Sequence, residues 1–79
     1  MDTNAKIKEI LVKLLRVKPE ELKDDVSLQD SIGVDSTEMV ETVIMLEKEF
    51  GTKLSGKEVT KFCTINEIKK IIEAKLLIK

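Results

Sequence analysis

The sequence predicts an all-α fold: a small four-helix bundle with three longer helices, one short third helix and a long first loop. Three observations carry this expectation. Apolar residues recur at helical spacing in three stretches, each with capping residues at its start. No stretch keeps a period-2 alternation, and no Asn-Gly or Asp-Gly pair marks a hairpin. The chain has 79 residues, 42% of them hydrophobic, which is enough for one core. No linker, repeat or low-complexity tract divides it, so residues 1–79 are expected to form a single domain.

The first helix is marked by Ile7, Ile10, Leu11, Leu14 and Leu15, which fall on one face, with Asp2 or Thr3 as its cap. Pro19 forbids its continuation, because the residue before a proline is pushed out of the α region. The long connection over 17–35 carries Val17, Leu22, Val26, Leu28, Ile32 and Val34. Apolar residues at that density predict a loop pinned to the core, with a turn of helix near Leu28.

A second long helix is expected from Ser36 to Phe50. Asp35 stands as its N-cap, Glu38 completes a capping box, and Gly51 marks its end. Its apolar positions, Met39, Val40, Val43, Ile44, Leu46 and Phe50, cover more than one stripe, so one face is buried and a second is left for a partner. Ser55-Gly56-Lys57-Glu58 reads as the start of the short helix, with Val59 and Phe62 inward. Thr64-Ile65-Asn66-Glu67 opens the last helix, with Ile65, Ile68, Ile71, Ile72 and Leu76 on one face.

Composition excludes several functions. There is no His, which removes Ser-His-Asp and Cys-His catalysis and any His-ligated metal. Aromatics are Phe50 and Phe62 alone, too few for a base-stacking platform. Cys63 is the single cysteine and has no His to activate it, so it reads as a small inert packing residue. A calcium loop starting at Asp25 fails, with Asp30 at its sixth position and Ser36 at its twelfth. The longest apolar run, Val43 to Leu46, is far short of the ~20 residues of a membrane span. The N-terminal residues do not read as a signal peptide, and a cytoplasmic protein is expected.

Net charge is −1, but it is unevenly spread. Residues 17–50 set three lysines against ten carboxylates, a net −7, while the two ends together reach +6. An acidic centre points to basic protein partners and away from nucleic acid.

One constellation bears chemistry. Ser36 falls in the first turn of the second long helix, after Ile32-Gly33-Val34-Asp35. A hydroxyl there is held on a rigid element, and the positive end of the helix favours an anion attached to it by roughly 0.3–1 kcal/mol. Gly33 is expected to serve either a positive φ angle or a close approach before the cap. On these grounds alone, Asp35-Ser36-Thr37-Glu38 is also ordinary helix-start composition.

Gly33-Val34-Asp35-Ser36, followed by Glu38, Val40, Glu41 and Leu46-Glu47-Lys48-Glu49-Phe50, strongly resembles the acyl carrier protein family. The likeness extends over nearly the whole chain. It implies that Ser36 carries 4′-phosphopantetheine, placed there from coenzyme A by a separate holo-carrier-protein synthase, with Asp35 beside it. The synthase would supply base and metal, leaving the carrier with no catalytic residue and no metal of its own. The resemblance further implies that acyl-transferring and ketoacyl-synthase-type enzymes read the second long helix. Glu38, Val40, Glu41, Ile44 and Glu47 are the docking candidates, and Val43, Leu46, Phe62, Ile65, Ile68 and Ile72 the candidates to line an acyl chain. The cargo would be acyl intermediates of fatty-acid, lipid or polyketide-type synthesis, and the carrier a monomer.

The chain departs from the family at Thr37 and Thr42, where large apolar groups are usual, at Lys48 within a commonly acidic run, and at Lys57 and Lys61 in a usually acidic segment. These changes suggest a specialised carrier. Other readings stand beside it: an unmodified helical adaptor docking a basic partner, a D-alanyl or peptidyl carrier, and a DNA-binding bundle using Lys69, Lys70, Lys75 and Lys79. The last lacks Arg, Asn or Gln at base-reading spacing.

Overall fold

The computed structural model describes residues 3–77. Four α-helices form among them: α1 (Thr3–Leu15), α2 (Leu28–Ile32), α3 (Ser36–Phe50) and α4 (Ile65–Leu77), with a 3₁₀ turn at Pro19–Glu21. No strand forms in this range; a lone antiparallel bridge joins Ser27 and Thr64. The all-α bundle expected from the sequence is therefore present, and no described helix is long and apolar enough to cross a membrane. Asp2 and Lys79 lie outside the described residues.

Helical spacing explains the core. Ile7 and Leu11 of α1, Leu46 of α3, and Ile65, Ile68 and Ile72 of α4 are fully buried together with Leu28 of α2. α1 packs against both α3 and α4, so one apolar face of α1 closes the bundle. Removing several buried methylenes from such a site leaves a cavity the small bundle refills only in part.

α1 ends sooner than Pro19 requires. Its chain leaves the helix at Arg16, which takes φ 57° while its N–H still bonds the Val12 carbonyl at 3.0 Å. A left-handed residue that is not glycine holds local strain of about 1 kcal/mol. The Thr3 hydroxyl donates to Glu73 across the bundle at 3.4 Å and caps nothing.

The long connection is held down as its apolar residues predict. Leu22, Leu28 and Val34 are buried, and the turn of helix near Leu28 is α2. Backbone bonds fasten this loop to the stretch before α4 and to its first turn: Leu28 N–H to Cys63 O at 3.0 Å, Gln29 N–H to Lys61 O at 2.9 Å, and Asn66 N–H to Asp24 O at 3.1 Å. Asp24 adds an ion pair with Lys8 of α1 at 2.7 Å and accepts from the Asn4 amide at 3.1 Å. The Lys8 ammonium holds the Asp24 carboxyl below the usual carboxylate range against the opposing effect of burial, with smaller help from Asn4 and Lys69.

The short third helix expected at Ser55 does not form. Ser55 and Glu58 do make the local start: Ser55 N–H donates to Glu58 Oε2 at 3.0 Å, and the Glu58 and Val59 N–H groups return to the Ser55 carbonyl. One turn closes and then stops. Gly56 and Thr60 are poor helix formers, and the Thr60 hydroxyl takes the Phe62 N–H at 3.3 Å in place of a helical carbonyl. Val59 is buried as expected, but Phe62 is 65% exposed, which corrects its inward assignment. A turn closed by the Cys63 N–H on the Thr60 carbonyl at 3.1 Å follows in place of helix, so three residues after Val59 no longer means the same face. Cys63 packs partly against the core, its thiol donating to the Glu58 carbonyl at 3.4 Å.

Two predictions follow from this packing. Ile68→Ala should lower unfolding free energy by about 2–5 kcal/mol in urea titration at neutral pH. Asp24→Asn should lower it by no more than about 1 kcal/mol at pH 7, because the pair is part-exposed. The native carboxyl pKa is depressed, so its contribution is complete above the ordinary aspartate range and lost as pH falls through the lower native value. The difference between the two proteins should therefore shrink toward zero in titrations below that range.

Candidate functional site

Ser36 owes its situation to its neighbours. Gly33 ends α2 with φ 66° and bonds the Gln29 carbonyl at 3.0 Å, the left-handed turn anticipated for it. Val34 is buried and pins the chain. Asp35 then caps α3: its Oδ1 accepts the Glu38 N–H at 2.7 Å, and Glu38 Oε1 accepts the Asp35 N–H at 3.1 Å. The cap duty therefore falls on Asp35 and Glu38, not on Ser36.

Ser36 is exposed, and its hydroxyl makes no hydrogen bond to any described residue. The N–H groups of Ser36 and Thr37 likewise meet no protein acceptor among the described residues. These donors and the dipole of a 15-residue helix face outward beside a free hydroxyl. An anion esterified at this oxygen is stabilised where it stands.

The hydroxyl opens onto a groove of about 440 Å³. One wall is α3, through Met39, Val40, Val43 and Ile44; the other is the non-helical stretch Gly56, Val59, Thr60, Lys61 and Phe62. The unmet N–H donors at the start of α3 suit an anion, and a mainly apolar channel leads away from them.

The structure separates the sequence-derived candidates. Among lining candidates, Val43 and Phe62 border the groove, Phe62 as an exposed rim. Leu46, Ile65, Ile68 and Ile72 are fully buried in the core and do not line it. Among docking candidates, Val40 is 60% and Ile44 45% exposed, and Glu41 is exposed with no hydrogen bond or ion pair among the described residues. Glu38 is held by the capping box. Glu47 is likewise committed: its Oε2 accepts the Leu54 N–H at 2.8 Å, latching the chain that follows Gly51. Sequence reading missed Met39, Gly56, Val59, Thr60 and Lys61 as groove residues, because no local signal places this stretch against α3. Thr42, odd for the family, is fully buried with its hydroxyl donating to the Glu38 carbonyl at 2.9 Å.

Comparison with known proteins decides the family. A family model described as "Phosphopantetheine attachment site" matches residues 5–72. The chain is also similar to a curated acyl carrier protein of Wolinella succinogenes, with 36% identity over 67 residues covering 85% of this chain and 88% of that protein. The chain belongs to the acyl carrier protein family. Its role is that of a carrier bearing phosphopantetheine and not of an enzyme, and partner enzymes act on what it holds.

The cap assignment gives a direct test on this carrier. Asp35→Ala should lower unfolding free energy by about 0.5–2 kcal/mol, the usual cost of a lost N-cap. Ser36→Ala should change it by less than about 0.5 kcal/mol, since no bond is lost. Urea titration followed by circular dichroism measures both.

Proposed function

We propose that Ser36 Oγ is the attachment point of the 4′-phosphopantetheine arm and that the carrier holds acyl intermediates for fatty-acid, lipid or polyketide-type synthesis. The observation that carries this reading is an exposed hydroxyl, free of any hydrogen bond, beside two unmet N–H groups at the start of α3. Loading proceeds by attack of Ser36 Oγ on the pantetheine-bearing phosphorus of coenzyme A. The new O–P bond forms as the pyrophosphate bond breaks, adenosine 3′,5′-bisphosphate leaves, and a base of the holo-carrier-protein synthase takes the hydroxyl proton. No group near Ser36 serves as that base: Asp35 and Glu38 are occupied with backbone N–H groups.

Partners in this reading are the holo-carrier-protein synthase and acyl-transferring and ketoacyl-synthase-type enzymes with basic patches. They dock on the α3 surface made by Val40, Glu41 and Ile44, while Glu38 and Glu47 add negative charge from their hydrogen-bonded positions. The carrier acts as a monomeric single domain in the cytoplasm.

Intact mass after incubation with coenzyme A and a holo-carrier-protein synthase tests the attachment. The wild-type chain should gain the arm, and Ser36→Ala should gain nothing while keeping its helical spectrum. A wild-type chain left bare where another carrier is converted, or an alanine variant still modified, contradicts the proposal. For docking, Glu41→Lys should slow association with a basic-faced partner by up to about tenfold at low salt and by less at ~0.15 M, where the Debye length is about 8 Å.

A further inference from the structure

We propose that Lys61 is the contact for an anionic oxygen carried by the group tethered at Ser36. This rests on the Ser36 attachment and extends it, by giving the groove a polar specificity of its own.

Of the residues lining the groove, Lys61 alone is ionisable; no carboxylate faces into it. Lys61 is half-buried and takes part in none of the ion pairs among the described residues, which engage Lys6, Lys8, Lys13 and Lys75. Several acids on the flanking elements are occupied elsewhere, and Asp30, beside the Gln29 that bonds the Lys61 carbonyl, is exposed and does not line the groove. Glu58 pairs with Lys75 at 2.8 Å, and Asp35 and Glu38 cap α3. Glu41 is exposed and does not line the groove.

The ammonium is also positioned. It lies 5.5 Å from the centroid of the Phe62 ring, within cation–π range, and that ring borders the same groove. The Lys61 carbonyl accepts the Gln29 N–H at 2.9 Å, and the Phe62 N–H bonds the Thr60 hydroxyl, so the backbone beneath both side chains is fixed. A cation screened from water on one side by an aromatic ring, in an apolar channel without a counter-charge, favours an incoming anion. Two sources share the needed chemistry: the phosphodiester at Ser36, and a carboxylate at the far end of an acyl cargo.

The test reads the Lys61 Cε–Hε resonances of a labelled chain in four forms: unloaded, arm-bearing, arm with octanoyl, and arm with the suberyl half-thioester of the same length. A Lys61 shift several times that of Lys57 and Lys53 on loading the bare arm assigns the phosphodiester. The same shift appearing only with the suberyl chain assigns the cargo carboxylate. Lys61→Gln should reduce the ordering of the arm, and Lys61→Arg should keep it. The population of groove-held arm is expected to fall by roughly 1.5- to 5-fold in the glutamine variant, the range of a part-exposed charge pair. Lys61 responding no more than Lys57 in every loaded form, or an arm equally ordered in the glutamine variant, overturns the proposal. Failure of the Ser36 reading is seen separately, as a chain that gains no mass.

Discussion

Asp35 and Glu38 each satisfy the backbone N–H of the other, and this reciprocal pair sets what the next residue is free to do. A serine at the cap itself spends its oxygen on a backbone N–H of the first turn. With the carboxylate of Asp35 doing that at 2.7 Å, the hydroxyl one residue later is left without a duty, on a rigid helix, at its positive end. The pair can form because Gly33 reverses the chain in the left-handed region and Val34 anchors it in the core. A free hydroxyl is thus a consequence of where the capping carboxylates stand.

The rest of the fold keeps that helix end in place and builds a channel beside it. α1 clamps α3 and α4, and the long loop is held by two backbone bonds to the stretch before α4 and one to α4 itself. Glu47 draws the chain after Gly51 back against α3 by taking the Leu54 N–H, and Glu58 is tied to α4 through Lys75. From between these two fastenings to Phe62 runs a wall that is turns and not a helix. The turn over 60–63 leaves Phe62 exposed at the rim of the groove and not inside it.

Much of this was legible in the residues because it is local. Helical spacing in Ile7 to Leu15, the Asp35/Glu38 and Thr64/Glu67 boxes, and glycines at both helix ends are signals read within a few positions, and each corresponds to a bond in the structure. The misplacement of Phe62 has the same root. A capping box announces the first turn, and whether a second follows depends on Gly56, Thr60 and a hydroxyl that competes for the backbone. Long-range roles were invisible. Glu47 reads as one more surface acid until its reach to Leu54 is seen, and periodicity marks Leu46, Ile65, Ile68 and Ile72 as inward without telling core from groove.

The account stands on one oxygen among the chain's several hydroxyls, and fragment-ion mapping of carrier isolated from its native source locates the modified one. The account predicts that the phosphopantetheine mass resides on the fragment ions that contain Ser36 and on no others. Its appearance on Ser31, Thr37 or Ser55 contradicts the claim that capping by Asp35 leaves the Ser36 hydroxyl as the one presented for loading.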